Sequence, residues 1–327
     1  MFDKRRSPFQ IATLFSVFLT VLMVAAFDSG ATAAESKKLV VGIANHAAGN
    51  EFINNMAERM KQRLEELGAS YNYAVADGSL EAHNTNIENL IAKGMKVIVV
   101  IGGDADGLKS IQKLAVENDS MLISADTGLT GEGVLSDVTS DNAVIGRTMA
   151  EFLVAQLGGK GEIVIFREPF YTPTEIRWKG AKPIFDKHAG IKIVGDTAVQ
   201  FPDGTIQARS AMETHLVAHP NIKGIWSVYD QPALGAIQSL QAAGMKDVIV
   251  VGADGDKENI MNYIAKGNIQ KATVAQNSKE MGKICADIAV QYLKGEKTKF
   301  PAHTYTPVTL VTQKNAEEFA KQQGWLK

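Results

Sequence analysis

The sequence predicts an α/β protein made of two units, each with a parallel sheet that helices cover on both faces. From about residue 38 onward, short β-branched apolar runs alternate with longer segments of helical spacing. The runs are apolar at nearly every position, which is typical of strands buried on both faces of a parallel sheet. The same alternation recurs in the second half of the chain. Hydrophobic residues make up 45% of the sequence, enough to fill two cores.

The alternation predicts the elements in order. In the first half, the strands are Val40–Ala44, Tyr71–Ala76, Val97–Ile101 and Met121–Ser124, with helices near 51–67, 81–93 and 107–117. In the second half, the strands are near 162–167, 191–195, 223–229, 248–252 and 270–275, with helices near 143–157, 174–189, 205–218, 232–243, 257–266 and 278–294.

The two halves also share sequence. Residues 90–114 align with residues 216–240 without a gap, so that Asp104 matches Asp230. Shortly afterwards, an Ala-Asp pair that ends at Asp126 matches one that ends at Asp254. Shared spacing together with shared polar endings favours an internal duplication.

Asp126 and Asp254 follow apolar runs at the carboxyl ends of predicted strands. Ligands of open parallel sheets bind at these ends, so the two carboxylates would meet in one cleft if the units face each other. Helix capping or turn formation is the alternative, since Asp is common after strands. Asp104 and Asp230 directly precede helices, and we interpret both as N-caps, with Pro232 favouring helix onset after Asp230.

Signatures of several kinds of chemistry are missing from the sequence. "GGDADG" at residues 102–107 lacks the Gly-Lys-Ser/Thr of a phosphate loop, and no Gly-x-Gly-x-x-Gly or Gly-x-Ser-x-Gly is present. His215 and His219 have helical spacing, but the Glu of a zincin motif is absent and we interpret them as surface histidines. Cys285 lies among small apolar residues and is expected to be buried. We therefore expect no cofactor, no metal and no catalytic residue.

The N-terminal segment has the features of a secretory signal. Basic residues at 4–6 precede a mostly apolar stretch over 9–27 and a small-residue sequence that predicts cleavage near Ala33-Ala34. A permanent anchor is the alternative, but the stretch is short and interrupted by hydroxyl side chains. The net charge is −2, whereas binding of nucleic acid requires concentrated positive charge, so nucleic acid is not an expected partner. Residues 1–34 are expected to be a signal peptide that directs export of the protein.

Several stretches occur in an order that is typical of one protein family. They are "GIANHAAGNEF", "LISADTG", "VTSDNAVIGRTMAEFL", "EIRWKGA", "VYDQPALGAIQSLQAAG" followed by "VIVVGADG", and "ATVAQNSKEMGKICAD". Together they resemble the type I periplasmic binding proteins of ATP-binding-cassette sugar importers, of the ribose and galactose binding kind. The likeness covers nearly all of the chain after the N-terminal segment.

The resemblance implies two doubly wound, Rossmann-like domains, joined by a three-strand hinge and closing on a ligand in the cleft between them. Transferred to this chain, the N-terminal domain is 36–139 with 277–307, and the C-terminal domain is 140–276 with 308–327.

The resemblance also implies the ligand-binding residues. By position, Arg177 matches the family's ligand-binding arginine, Asp254 and Asp126 match its aspartates, and Gln276 matches a polar residue beside the hinge. With their neighbours at the strand ends, the expected set is Asn45, His46, Asn50, Phe52, Asp126, Glu168, Arg177, Tyr229, Asp254 and Gln276. From helical spacing alone, Arg177 would be interpreted as a solvated surface residue. Carboxylates and a guanidinium suit the hydroxyls of a sugar, and aromatic rings suit its C–H faces.

The resemblance implies a receptor rather than an enzyme. It is expected to be a monomer that captures a small uncharged polyhydroxylated ligand, a monosaccharide or sugar alcohol, and delivers it to a membrane permease. The alternatives are the ligand-binding domain of a sugar-responsive regulator and a sugar-active enzyme on the same scaffold. The chain departs from the family at Thr127, where Arg is common, and at Tyr229, where Asn is common. The identity of the ligand is therefore not transferred.

Overall fold

The computed structural model describes residues 38–296 and 299–326. The predicted signal segment lies outside this range. Among the residues that are described, no helix is both long enough and apolar enough to cross a membrane.

Two six-stranded sheets organise the chain. The first contains β1 (Val40–Asn45), β2 (Ser70–Val75), β3 (Val97–Ile101), β4 (Met121–Ala125), β5 (Val134–Ser140) and β11 (His303–Thr306), in the order β11-β5-β4-β3-β1-β2. The second contains β6 (Gly161–Arg167), β7 (Ile191–Ala198), β8 (Ile222–Ser227), β9 (Ile249–Asp254), β10 (Gln270–Ala275) and β12 (Thr309–Thr312), in the order β12-β10-β9-β8-β6-β7. All pairings are parallel except that of β12 with β10.

Helices cover these sheets. They are α1 (Glu51–Glu66), α2 (Leu80–Ala92), α3 (Lys109–Glu117), α4 (Asn142–Gln156), α5 (Thr172–Asp186), α6 (Gly204–Ala218), α7 (Asp230–Ala242), α8 (Lys257–Asn259), α9 (Ser278–Leu293) and α10 (Ala316–Gln322). We call the first sheet with α1, α2, α3 and α9 the first lobe, and the second sheet with the remaining helices the second lobe. Each lobe is an α/β unit of the predicted class.

The strand β3 shows why its residues form a buried central strand. Val97, Val99 and Ile101 pack into the core under α1 and α9, whereas Ile98 and Val100 pack into the core under α2 and α3. Successive side chains of a strand point to opposite faces, so a strand between two helical layers must be apolar at every position.

The chain passes between the lobes three times: from β5 to α4 at 140–142, from β10 to α9 at 275–278, and from β11 to β12 at 306–309. These passages match the expected three-strand hinge. Because α4 packs on α5 and α9 packs on α1, each helix that follows a passage belongs to the lobe that the chain has just entered.

Some elements differ from the prediction. The sequence did not predict β5, β11, β12 or α10, and the helix expected over 257–266 is the short α8 followed by a π-helical turn at Ile260–Ile264. The strand β5 was missed because its buried residues include Ser136, Asp137, Thr139 and Ser140, which break the apolar pattern. The helix α5 contains Pro183 and continues to Asp186.

Candidate functional site

A cavity lies between the two lobes. Its lining combines strand-end loops of both lobes: His46, Ala47, Asn50, Phe52, Ile53, Gly102 and Asp126 from the first lobe, Glu168, Tyr171, Pro173, Thr174, Arg177, Phe201, Tyr229 and Asp254 from the second, and Gln276 from a passage between them. The structure thus brings together nine of the ten residues expected from the sequence.

Asn45 is the tenth, and it lies behind the cavity wall. Its Oδ1 accepts a hydrogen bond from the backbone N of Ala47 at 2.9 Å, and its Nδ2 donates to the hydroxyl of Tyr73 at 2.8 Å. It is fully buried and does not line the cavity. The side chain therefore holds the turn that presents His46.

Asp126 and Asp254 approach the cavity from opposite lobes. Both have positive φ, 52° and 98°, as the chain turns sharply out of the strand. Oδ1 of Asp126 accepts from Thr139 Oγ1 at 2.6 Å, and Oδ1 of Asp254 accepts from Gln276 Nε2 at 2.8 Å. The carboxylates meet at one cavity, as the strand-end rule predicted.

Arg177 is buried on α5, with 2% of its side chain exposed. Its Nε and Nη2 donate to Asn142 Oδ1 at 3.2 and 2.8 Å, and its Nη1 donates to the carbonyl of Val228 and, at 3.4 Å, to Asp254. Asn142 begins α4 and was not expected from the sequence.

Two glycines let the backbones of α4 and α5 touch and so bring Arg177 to Asn142. A Cβ on Gly146 would overlap the carbonyl of Arg177, and a Cβ on Gly180 would overlap the carbonyl of Ala143. The spacing of Arg177 and Gly180 thus serves the packing that positions the guanidinium.

Glu168 lies directly after β6 and is 4% exposed. Its Oε1 accepts from the backbone N of Phe201 at 2.9 Å, which ties the loop after β6 to the loop after β7. Phe201 in turn packs on Gly78 of the first lobe, where a Cβ would come within 2.9 Å of the ring. Phe201 was not expected from the sequence, although its place after a strand was the signal that could have found it.

His46 and Tyr171 join the lobes. The hydroxyl of Tyr171 lies 2.7 Å from Nδ1 and 3.1 Å from Nε2 of His46. Burial lowers the pKa of His46 to about 4, so the ring is neutral near pH 7 and can accept a hydrogen bond from the hydroxyl. Asn50 Nδ2 also donates to Gln231 Oε1 across the cleft at 3.4 Å. The lobes are thus in contact around the cavity.

The carboxyl groups of the cavity resist ionisation. Burial raises the pKa of Asp126 to about 6 and that of Glu168 to about 7, and it also raises the pKa of Asp254, against the opposing charge of Arg177. These groups are therefore poised to gain from a ligand that supplies hydrogen-bond donors.

The N-cap interpretation was wrong for Asp104 and Asp230. The N-cap of α7 is Tyr229, and Asp230 is fully buried, with Oδ2 accepting from Gly255 N and Asp256 N at 3.0 Å and from Thr273 Oγ1 at 2.8 Å. Asp104 accepts from Asp106 N and Gly107 N at 3.2 and 3.1 Å, in the turn before α3, whose N-cap is Leu108. Neither residue lines the cavity.

The part of the chain that the structure describes contains no group of three or more His, Cys, Asp or Glu side chains that could hold a metal ion. Nε2 of His215 lies 2.9 Å from Oγ1 of Thr197. Cys285 is fully buried.

Two α/β lobes with a shared cavity at their facing strand ends define a two-lobed ligand-binding protein. The family model described as "Periplasmic binding protein domain" matches residues 41–297. The chain therefore belongs to the periplasmic binding protein family, and the resemblance inferred from its sequence is confirmed.

Relatives and solved structures agree with this assignment. The ribose import binding protein of Escherichia coli is 29% identical over 299 residues, covering 89% of this chain and 96% of the relative. The D-apiose import binding protein of Actinobacillus succinogenes is 29% identical over 285 residues, covering 86% and 91%. A solute-binding protein of an ABC transporter from Agrobacterium vitis, with bound allitol, superposes with a TM-score of 0.81 at 26% identity, covering 88% of this chain and 99% of that one.

Proposed function

We propose that this chain is the exported solute-binding receptor of an ATP-binding-cassette importer and that it captures a monosaccharide or sugar alcohol by closure of its two lobes. The observation that carries the proposal is the cavity between the lobes that has Asp126 on one wall and Arg177 and Asp254 on the other. Relatives that import ribose and D-apiose support the class of ligand.

The residue types suit the ligand. Sugar hydroxyls donate to carboxylates and accept from a guanidinium, and the rings of Phe52, Tyr171 and Phe201 offer apolar faces to the C–H groups. Contacts from both walls exist only when the lobes are closed, so the ligand shifts the equilibrium towards closure by the energy of those contacts. A membrane permease of the importer then receives the closed, loaded receptor.

The proposal extends to the organisation of the chain. Residues 1–34 are the signal peptide, and the mature protein is a periplasmic monomer without catalytic activity. The domains are 36–139 with 277–307 and 140–276 with 308–327, and the three passages between the lobes act as the hinge.

A thermal-shift screen of the mature protein against pentoses, hexoses and sugar alcohols tests the proposal, because a ligand that binds only the native state raises the melting temperature. Hits are then titrated by calorimetry into the wild type, Asp254→Asn and the control Asp104→Asn, which alters the matching aspartate outside the cavity. We expect Asp254→Asn to weaken binding at least tenfold and the control to bind like the wild type. Recovery of chemically altered sugar, or no shift with any compound, would overturn the proposed function.

A further inference from the structure

The charges around the cavity do not balance. Three carboxyl groups line it, those of Asp126, Glu168 and Asp254, and Arg177 is the one Lys or Arg side chain among the lining residues that the structure describes. His46 adds no charge near pH 7, because burial lowers its pKa to about 4. An uncharged ligand would leave this excess of buried acid without a cation.

Arg177 supplies one positive charge against the three carboxyl groups. Most of its donors are committed to neutral acceptors, the side-chain oxygen of Asn142 and the carbonyl of Val228. Its contact with Asp254 is long, at 3.4 Å. The guanidinium is thus fixed in the wall, and most of its hydrogen-bonding capacity is already used.

The wall also offers acceptors that lack donors. The amide oxygen of Gln276 is buried and has no hydrogen-bond partner within the described residues, and Gln276 as a whole is 8% exposed. Across the same described ranges, Oδ2 of Asp126 and Oδ2 of Asp254 accept no hydrogen bond, since both residues use Oδ1 for their protein contacts. A buried acceptor without a donor is costly, so the amide oxygen of Gln276 points to a ligand that supplies donors, and the two Oδ2 atoms can accept from the same ligand.

A protonated amine fits this wall better than a hydroxyl does. It supplies three N–H donors, accepts no hydrogen bond and carries the missing positive charge. The rings of Phe52, Tyr171 and Phe201 border the same cavity, and aromatic faces attract cations. Burial raises the pKa of Asp126 to about 6 and that of Glu168 to about 7, although the charge of Arg177 acts to lower both.

We infer that the ligand carries a protonated amino group beside its hydroxyls, as an amino sugar or amino polyol does, and that the carboxyl groups of Asp126, Glu168 and Asp254 recognise that group. This inference rests on the proposed function, because it names the ligand class of the same cavity. It replaces the uncharged ligand that the family resemblance implied.

Matched pairs of compounds test the inference by calorimetry at pH 7.5. The pairs are D-glucosamine with D-glucose, D-galactosamine with D-galactose, D-mannosamine with D-mannose, and 1-amino-1-deoxy-D-sorbitol with D-sorbitol. We expect at least one amine to bind tenfold or more tightly than its neutral twin. In Asp126→Asn and in Glu168→Gln this ratio should fall at least threefold, whereas in the control Asp104→Asn it should stay unchanged.

Each remaining outcome counts against the inference. If neutral compounds bind as tightly as their amino twins or more tightly, the inference is overturned and the proposed function stands. If no member of the four pairs and no compound of the wider screen binds, both are overturned. An amine preference that survives both substitutions would show that these carboxyl groups are not what recognises the charge.

Discussion

Asp104 and Asp230 hold equivalent positions in the two halves of the internal repeat but have different surroundings. Asp104 is half-buried, and among the described residues it accepts hydrogen bonds only from the turn that follows it. Asp230 is fully buried and binds two backbone amides of the loop after β9, as well as Gln270 and Thr273 of β10. The same residue type at matching positions of the repeat is thus a structural anchor in the second lobe and a local turn residue in the first.

Asp126 and Asp254 are the second matched pair, and here the two lobes agree in geometry but differ in charge. Both side chains leave a strand at positive φ and line the cavity. Asp254 has Arg177 beside it, whereas Asp126 is followed by Thr127, whose hydroxyl donates to backbone carbonyls of the first lobe. The only lining guanidinium of the described cavity therefore belongs to the second lobe.

The largest effect is expected from Arg177→Ala, which removes the cation that distinguishes the lobes. Breaking a buried charge network costs about 3–5 kcal/mol, so the free energy of unfolding should fall by that amount. Binding should also be lost, because Asp254 no longer has its partner. Urea unfolding measures the first effect and calorimetry the second.

Arg167→Ala is the matched control for this change. Arg167 pairs with Asp196 at the partly exposed end of the neighbouring strand, at 2.8 Å. Pairs of this kind contribute about 1 kcal/mol or less. Equal losses in the two variants would show that the burial of Arg177 carries no special stability.

Asp230→Ala compared with Asp104→Ala tests the first pair directly. We expect a loss of about 3 kcal/mol for Asp230→Ala, because several buried donors lose their acceptor at once. For Asp104→Ala we expect about 1 kcal/mol or less, the usual effect of losing a turn or cap contact. Urea unfolding of both variants without ligand measures the two losses. Similar losses would show that Asp230 is not a structural anchor.

Glu168→Gln should change how stability depends on pH. Burial raises the pKa of Glu168 from 4.5 to about 7, so the unliganded wild type loses stability as pH rises from 4.5 through 7, where the folded state must ionise the buried group. The variant lacks this loss. Its free energy of unfolding, compared with that of the wild type, should therefore increase by about 3 kcal/mol across that pH window. Urea unfolding at pH 4.5, 6 and 8 measures the difference. Parallel curves for the two proteins would contradict the raised pKa.

The smallest effect is expected from Tyr171→Phe, which removes a contact between the lobes and leaves each lobe intact. Loss of the hydrogen bond to His46 should make closure of the lobes less favourable by about 1 kcal/mol. The affinity for ligand should therefore fall roughly fivefold. Stability without ligand should change little if the unliganded lobes spend most of their time apart. Calorimetry with the ligand from the screen measures the affinity. An unchanged affinity would show that the His46 contact does not contribute to closure.

Several features of this protein followed from the sequence by itself. The continuous apolar runs predicted the central strands, because a strand between two helical layers has no polar face. The ends of those runs placed Asp126 and Asp254 at the carboxyl edge of each sheet, and the repeat showed that they are equivalent. Most of the residues that line the cavity followed from that edge and from the family resemblance.

Tertiary structure alone decided the rest. The strand β5 contains polar residues that become buried only through partners elsewhere, such as Ser124 for Asp137 and Asp126 for Thr139. Asp230 differs from Asp104 because of Gln270 and Thr273, which are distant in the sequence, and the contact of His46 with Tyr171 joins residues of different lobes. Local periodicity specifies which side chains are buried, whereas the partners of a buried polar group depend on how separate segments pack together.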